Sequence, residues 1–166
     1  LTLIVEDGSI VAGANTYVSD SDYTTYAAAR GKTIGSSAAT REQELILAMD
    51  YIESHRNQFQ GTKVSSTQPL QWPRSGVYID GFLIGSDEIP QDLKNAQIEA
   101  AILANSTALL PSGSTQNVQS EKLGELQISY FQGGSWETLR TDSIDVYLDP
   151  LLDGDSGLYT FRVDRA

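Results

Sequence analysis

Few residues in this chain could do chemistry. Its 166 residues include no cysteine and one histidine, His55. That leaves no thiolate nucleophile, no disulfide framework, and no Cys-based or multi-His metal site. His55 follows Ser54 directly on a helical stretch, and no G-x-S-x-G elbow occurs to present a serine nucleophile. It reads as an exposed histidine at a helix end. The phosphate-cradling patterns G-x-x-x-x-G-K-[ST] and G-x-G-x-x-G are both absent. Asp153, Asp155 and Gly157 make a D-x-D-x-G fragment of a calcium loop, but Asp164 stands where the closing glutamate belongs. A turn is the better reading. Carboxylates abound, yet in a chain this acidic they read mostly as solvated faces. No catalytic constellation emerges, and the chain is expected to be neither an enzyme nor a cofactor carrier.

What remains is shape and surface. Acidic residues number 22 against 11 basic ones, for a net charge of −11. Such a chain is a poor candidate for coating phosphates, because that affinity comes from Lys and Arg releasing counterions. No apolar run approaches the roughly 18 residues of a membrane span, so no membrane partner is expected. The opening residues lack the basic and apolar regions of a signal peptide. Length and composition suit one domain over residues 1–166 with a real core.

The elements that would position any site follow from periodicity. Residues 1–15 read as a short hairpin or N-terminal arm turning at Glu6-Asp7-Gly8-Ser9. Ser19 can cap a first helix with Asp22 as its partner, Tyr23, Tyr26 and Ala27 facing inward and Gly31 closing it. Thr40, with Gln43, is read as opening a second helix. Its stripe is Leu45, Ala48, Met49, Ile52 and Phe59, with Glu44 and Glu53 off the stripe and an end near residues 56–59. Residues 62–89 break the helical pattern. Pro69 and Pro73 forbid a helix there, and Asp80-Gly81 between Val77-Tyr78-Ile79 and Phe82-Leu83-Ile84 signals a hairpin. Pro90 suits the first turn of a third helix, apolar nearly all round and ending at Pro111. Residues 118–131 read as a second hairpin or a long bent extended arm, and residues 142–152 as a short amphipathic helix. The expected fold is mainly α: a small bundle of three main helices plus a short C-terminal helix, with extended β-hairpin loops and arms.

Certain stretches carry a resemblance. They are Val5-Glu6-Asp7-Gly8, Gly13-Ala14-Asn15-Thr16-Tyr17-Val18-Ser19, Gly61, Leu70-Gln71-Trp72-Pro73-Arg74-Ser75-Gly76 and Asp80-Gly81. Ile89-Pro90 before Leu93-Lys94-Asn95-Ala96, then Ser120-Glu121-Lys122 through Gly124 with Tyr130, complete the series. In this order the chain resembles tailed-phage proteins often labelled DnaT-like single-stranded DNA-binding, which are similar in size and topology to head–tail connector (adaptor or neck) proteins. The Trp-Pro-Arg segment is the most specific part. The resemblance implies a homo-oligomeric, dodecameric ring that docks beneath the portal protein, meets a tail or stopper protein and lets duplex DNA pass without specific binding. Its place would be the virion neck, with the host cytoplasm as its place during assembly.

Three groups of residues become candidates. Trp72, Pro73 and Arg74 read as a buried anchor for the loop of residues 62–89, as a subunit contact, Trp and Arg being frequent hot-spot types, or as both at once. Leu158, Tyr159, Phe161 and Val163 lie in a candidate portal-binding arm, residues 153–166, which could equally be an edge strand of its own subunit. Asp142, Asp145 and Asp149 could line the channel and repel phosphates, or merely solvate the outside. The rival functions are a single-stranded DNA-binding replication accessory protein, which would need a basic groove with stacking aromatics, and a tail-completion subunit.

Overall fold

The computed structural model describes residues 2–109 and 141–153, together with the backbone of residues 120–123 and 126–129. Four α-helices dominate it: α1 Asp20–Ala29, α2 Ala38–Ser54, α3 Gln91–Ala104 and α4 Asp142–Leu148, the last running into a 3-10 turn at Asp149–Leu151. Three antiparallel two-stranded pairs accompany them. These are β1 Thr62–Lys63 with β2 Arg74–Ser75, β3 Tyr78–Ile79 with β4 Phe82–Leu83, and β5 Ser120–Leu123 with β6 Leu126–Ser129. The architecture is mainly α, as expected.

The helix starts follow capping chemistry. Ser19 accepts the Asp22 N–H, and its hydroxyl reaches the Asp22 carboxylate at 2.7 Å. Gly31 follows α1 with φ +60°, the left-handed conformation that lets the chain leave a helix. At α2 the expectation is corrected. Ser37, not Thr40, is the cap, its Oγ accepting the Thr40 N–H at 3.1 Å, so the helix starts three residues sooner than a Thr40 cap would place it. α2 also ends sooner, at Ser54, with turns over residues 55–58. α3 stops at Ala104, well before Pro111, and Pro90 is its cap residue rather than its first helical one.

α3 is the centre. It packs most extensively against α2 and α4, and Leu93, Ala96, Gln97, Ile98, Glu99, Ala100 and Ala101 are all buried. Its small alanines permit close approach on two sides. α4 contributes Ile144 and Leu148, and Leu151 follows from the 3-10 turn. Leu45, Ala48, Met49 and Ile52 supply the α2 side, the stripe read from periodicity, and Tyr17, Tyr23 and Tyr26 close the core from the N-terminal third.

Gln97 ties three segments across this core. Its Oε1 accepts the Tyr17 N–H at 2.9 Å, and its Nε2 donates to Thr16 Oγ1 at 2.8 Å and to the Leu45 carbonyl at 3.1 Å. The N-terminal segment is folded back rather than paired as a hairpin: Val5 bridges Thr16 in parallel, and the Asn15 N–H donates to the Ile4 carbonyl. Glu6 is fully buried, and its carboxylate accepts the N–H groups of Gly8, Ile10 and Val11. The loop at residues 6–11 is therefore wound around one carboxylate. Its Gly8 meets the 85–88 loop so closely that a Cβ would sit 1.9 Å from the Asp87 carbonyl oxygen.

A buried amide that serves three segments is costly to remove, since each orphaned buried group forfeits about 1–3 kcal/mol. Gln97→Leu, similar in volume, should lower unfolding free energy by about 2 kcal/mol or more. Denaturant melts monitored by circular dichroism would read it. A change within about 0.5 kcal/mol would show that the clamp contributes little.

Candidate assembly surface and its anchor

The Trp-Pro-Arg segment lies inside the molecule. Trp72 is fully buried, Pro73 is buried, and Arg74 is 6% exposed. The Trp72–Pro73 bond is cis. The Trp72 ring meets Phe59 edge-on, with centroids 5.9 Å apart. Its backbone N–H donates to Tyr17 Oη at 3.0 Å. Tyr17 in turn donates to Glu53 Oε1 at 3.0 Å, and the same oxygen accepts the Gln71 N–H at 3.0 Å.

Arg74 acts as a backbone clasp. Its Nε donates to the Gln60 carbonyl at 2.6 Å, and its Nη2 to the Gly61 carbonyl at 2.7 Å and the Phe59 carbonyl at 3.4 Å. Five donors in a rigid fork suit this task, and Lys could not replace them. β1 and β2 approach tightly at Gly61, where φ is +64° and a Cβ would lie 2.2 Å from the Ser75 carbonyl oxygen. Gln60 then links outward. Its N–H donates to the Leu151 carbonyl, its Nε2 to Pro150, and its Oε1 accepts the Tyr78 N–H. The loop of residues 62–89 is thus fastened to α2, to the 3-10 turn and to the next hairpin. Of the two readings of Trp72, Pro73 and Arg74, the burial is that of a loop anchor.

The electrostatics follow from burial. Desolvation raises the Glu53 pKa, against the lowering effect of its hydrogen bonds from Gln71 and Tyr17 and of the Lys63 charge. Burial, reinforced by the Glu53 charge, holds the Tyr17 hydroxyl well above its ordinary value, so it stays a donor. Burial also lowers Arg74.

The β3–β4 hairpin is the opposite case. Asp80 and Gly81 both take positive φ, +52° and +83°, as the tight two-residue turn between twisted strands requires. Val77 and Ile79 point to the core, whereas Tyr78 is 55% exposed, Phe82 74% and Leu83 62%. Three large apolar side chains are thus exposed on one short hairpin, Tyr78 and Leu83 paired on one face and Phe82 paired with Ile79 on the other, and the hairpin is held at its base by the Ile84 N–H to Val77 carbonyl bond and by Gln60. The Asp-Gly signal located this hairpin; nothing in the alternation showed that its apolar side chains would face solvent.

Other candidates separate. Asp142 is exposed at the start of α4 and Asp149 at the start of the 3-10 turn, and Asp145 is half-buried, accepting the Thr141 hydroxyl at 2.8 Å. Leu158, Tyr159, Phe161 and Val163 lie outside the described residues. His55 corrects the expectation of exposure: it is half-buried, edge-on to Tyr51 at 5.0 Å, with Nδ1 3.0 Å from the Tyr51 carbonyl. Glu44, expected off the core stripe, is 3% exposed and accepts the Tyr23 hydroxyl at 2.7 Å. Among the described residues no three His, Asp or Glu side chains converge as a metal site would need, and no helix is long and apolar enough to cross a membrane.

A mainly α domain with internally fastened β-loops is the class these observations define. The family described as "Putative DnaT-like ssDNA binding protein" matches residues 1–166, and the chain belongs to that family. No curated protein and no solved structure matches it.

Two outcomes follow from the anchor. Trp72→Ala should cost about 3–5 kcal/mol, the range for emptying a buried aromatic site; wild-type melting would refute the anchor. Glu53 gives a pH signature. Its folded pKa lies above the unfolded value of about 4.3, so its contribution is complete below that pH and is lost as pH rises through the folded value. The stability of wild type relative to Glu53→Gln should therefore fall as pH rises from about 4 through the raised folded value, measured by denaturant melts. A difference that grows with pH would reverse the assignment.

Proposed function

We propose that this chain is a non-enzymatic structural protein that assembles with copies of itself, as a ring-forming head–tail connector of a tailed-phage virion. In this reading the ring docks on the portal, meets a tail or stopper protein, and extends the exit channel for duplex DNA. The observation that carries it is the exposure of Tyr78, Phe82 and Leu83 on a hairpin whose base is fastened to the core. Contiguous exposed apolar groups mark interaction sites, and a braced hairpin loses little entropy on docking. The acidic face of Asp142, Asp145 and Asp149 would suit a channel wall that phosphates slide past. The segment of residues 153–166 is the proposed portal contact.

The family description favours single-stranded DNA binding. The geometry supplies little for it. Arg41 is paired with Asp20 at 2.6 Å, Lys32 with Glu99 at 3.6 Å, Lys63 donates to the Gln68 carbonyl, and Arg74 is enclosed. Tyr17, Tyr23, Tyr51, Phe59 and Trp72 are buried, so their faces cannot serve as a stacking platform; Tyr78 and Phe82 are exposed, and Tyr26 lines a cleft between α1 and α3 beneath Arg30. A mobility-shift titration with a single-stranded oligonucleotide at low and moderate salt decides between the readings. We expect no tight shift, and multimeric rings in negative-stain images of the protein alone or with portal. Tight, salt-sensitive retardation without rings would establish the DNA-binding reading instead.

A further inference from the structure

We propose that the β3–β4 hairpin of one copy docks into the α1–α3 cleft of a second copy. The inference rests on the assembly reading and adds the two surfaces that meet. The cleft measures about 380 Å³ and lies between α1 and the first turns of α3. Val18, Tyr26, Ala29 and Ile98 give it apolar walls, and Arg30 and Lys94 place two cations at it. Asp22 is its one acidic lining residue, and that carboxylate is already engaged by the Ser19 hydroxyl. Arg30 lies flat on Tyr26, its guanidinium carbon 3.5 Å from the ring centroid, which holds the positive charge over an aromatic floor.

The hairpin tip is the matching shape. It reads Asp80-Gly81-Phe82-Leu83, a carboxylate beside two exposed apolar side chains. The cleft volume is in the range of sites that enclose a small ligand, enough for the Phe82 ring, which the strand register sets on the hairpin face opposite Leu83. Asp80 would then face Arg30 and Lys94. In a chain of net charge −11, most pairs of surfaces repel, so a locally cationic cleft singles out where an acidic tip can land. Within one copy the tip does not line the cleft. Donor and acceptor are therefore different patches, and a head-to-tail contact of this kind closes into a ring when its rotation allows.

The chain has no cysteine, so engineered thiols report cleanly. Phe82→Cys and Ala29→Cys should form a mixed disulfide when combined under mild oxidation, in excess over either homodimer, and the double variant should give a ladder of covalent oligomers. Independently, Phe82→Ser and Arg30→Glu should each weaken self-association about tenfold or more by mass photometry; the exposed Phe82 should leave monomer melting unchanged, whereas Arg30→Glu also removes the Tyr26 contact and should lower melting slightly. Rings that persist undiminished in both variants, without mixed disulfide, would overturn this docking and leave the assembly reading intact. A mixed disulfide confined to closed dimers would keep the docking and overturn the ring. A chain that stays monomeric at all concentrations and gives no mixed disulfide overturns both.

Discussion

One carboxylate oxygen organises the centre of this molecule. Glu53 Oε1 accepts both the Tyr17 hydroxyl and the Gln71 N–H, and Tyr17 in turn accepts the Trp72 N–H. Three distant stretches, the N-terminal segment, α2 and the loop of residues 62–89, thus meet at one partly desolvated charge. The arrangement tolerates that charge because donors surround it; a buried carboxylate without them would be prohibitively expensive. Once Trp72 is placed, Arg74 can reach the carbonyls of residues 59–61, and Gln60 can brace the hairpin and the 3-10 turn. The projecting apolar tip is consequently positioned by a chain of hydrogen bonds that begins deep in the core.

The same device recurs. Tyr23 donates to Glu44, and Tyr26 donates to Glu99, each a buried acid. Tyrosine hydroxyls thus donate to buried acids, Glu44 also accepting the Gly35 N–H and Glu99 also pairing with Lys32 at 3.6 Å, and their rings fill the core at the same sites. This has a consequence for the surface. Aromatics such as Tyr17 and Tyr23 that face inward to serve carboxylates are withdrawn from it, while acidic residues such as Asp142 and Asp149 remain outside.

Local features were legible in the sequence where local physics decides them. Ser19 with Asp22, Gly31 after α1, the Asp80-Gly81 turn and the α2 stripe each depend on neighbours a few residues away. The misread boundaries are those where two local signals compete. Ser37 and Thr40 are both good caps, and the tertiary contacts of α2 choose the earlier one. Asn105 ends α3 before the proline that looked like its natural stop. Glu6, Gln97 and Glu53 were not legible as structural centres, because what each one binds lies on another segment or in the backbone. A glutamate read as a solvated face and one that gathers three amides have identical letters. The Trp72–Arg74 role lay between these cases: the residue types announced an anchor or a contact, and only burial separated the two.

The balance between the two functional readings comes down to where the chain leaves unsatisfied surface. A single-strand binder needs unpaired cations along a groove, since counterion release supplies its affinity. Here Arg41, Lys32, Lys63 and Arg74 are engaged within the fold, and the net charge opposes a polyanion at long range. Among the described residues, what is left over includes a tight hairpin with Tyr78, Phe82 and Leu83 exposed and the two cations Arg30 and Lys94 at the α1–α3 cleft. Burying the hairpin side chains is favourable by about 25 cal/mol per Å², whereas bringing phosphates to the same acidic surface is not. In the proposed assembly another protein surface would complete this exposed hairpin. Self-association of that kind would also repeat the chain's own negative charge, so it would depend on close contacts that pair acid with base, and the exposed cations of the α1–α3 cleft would matter more than in a neutral protein.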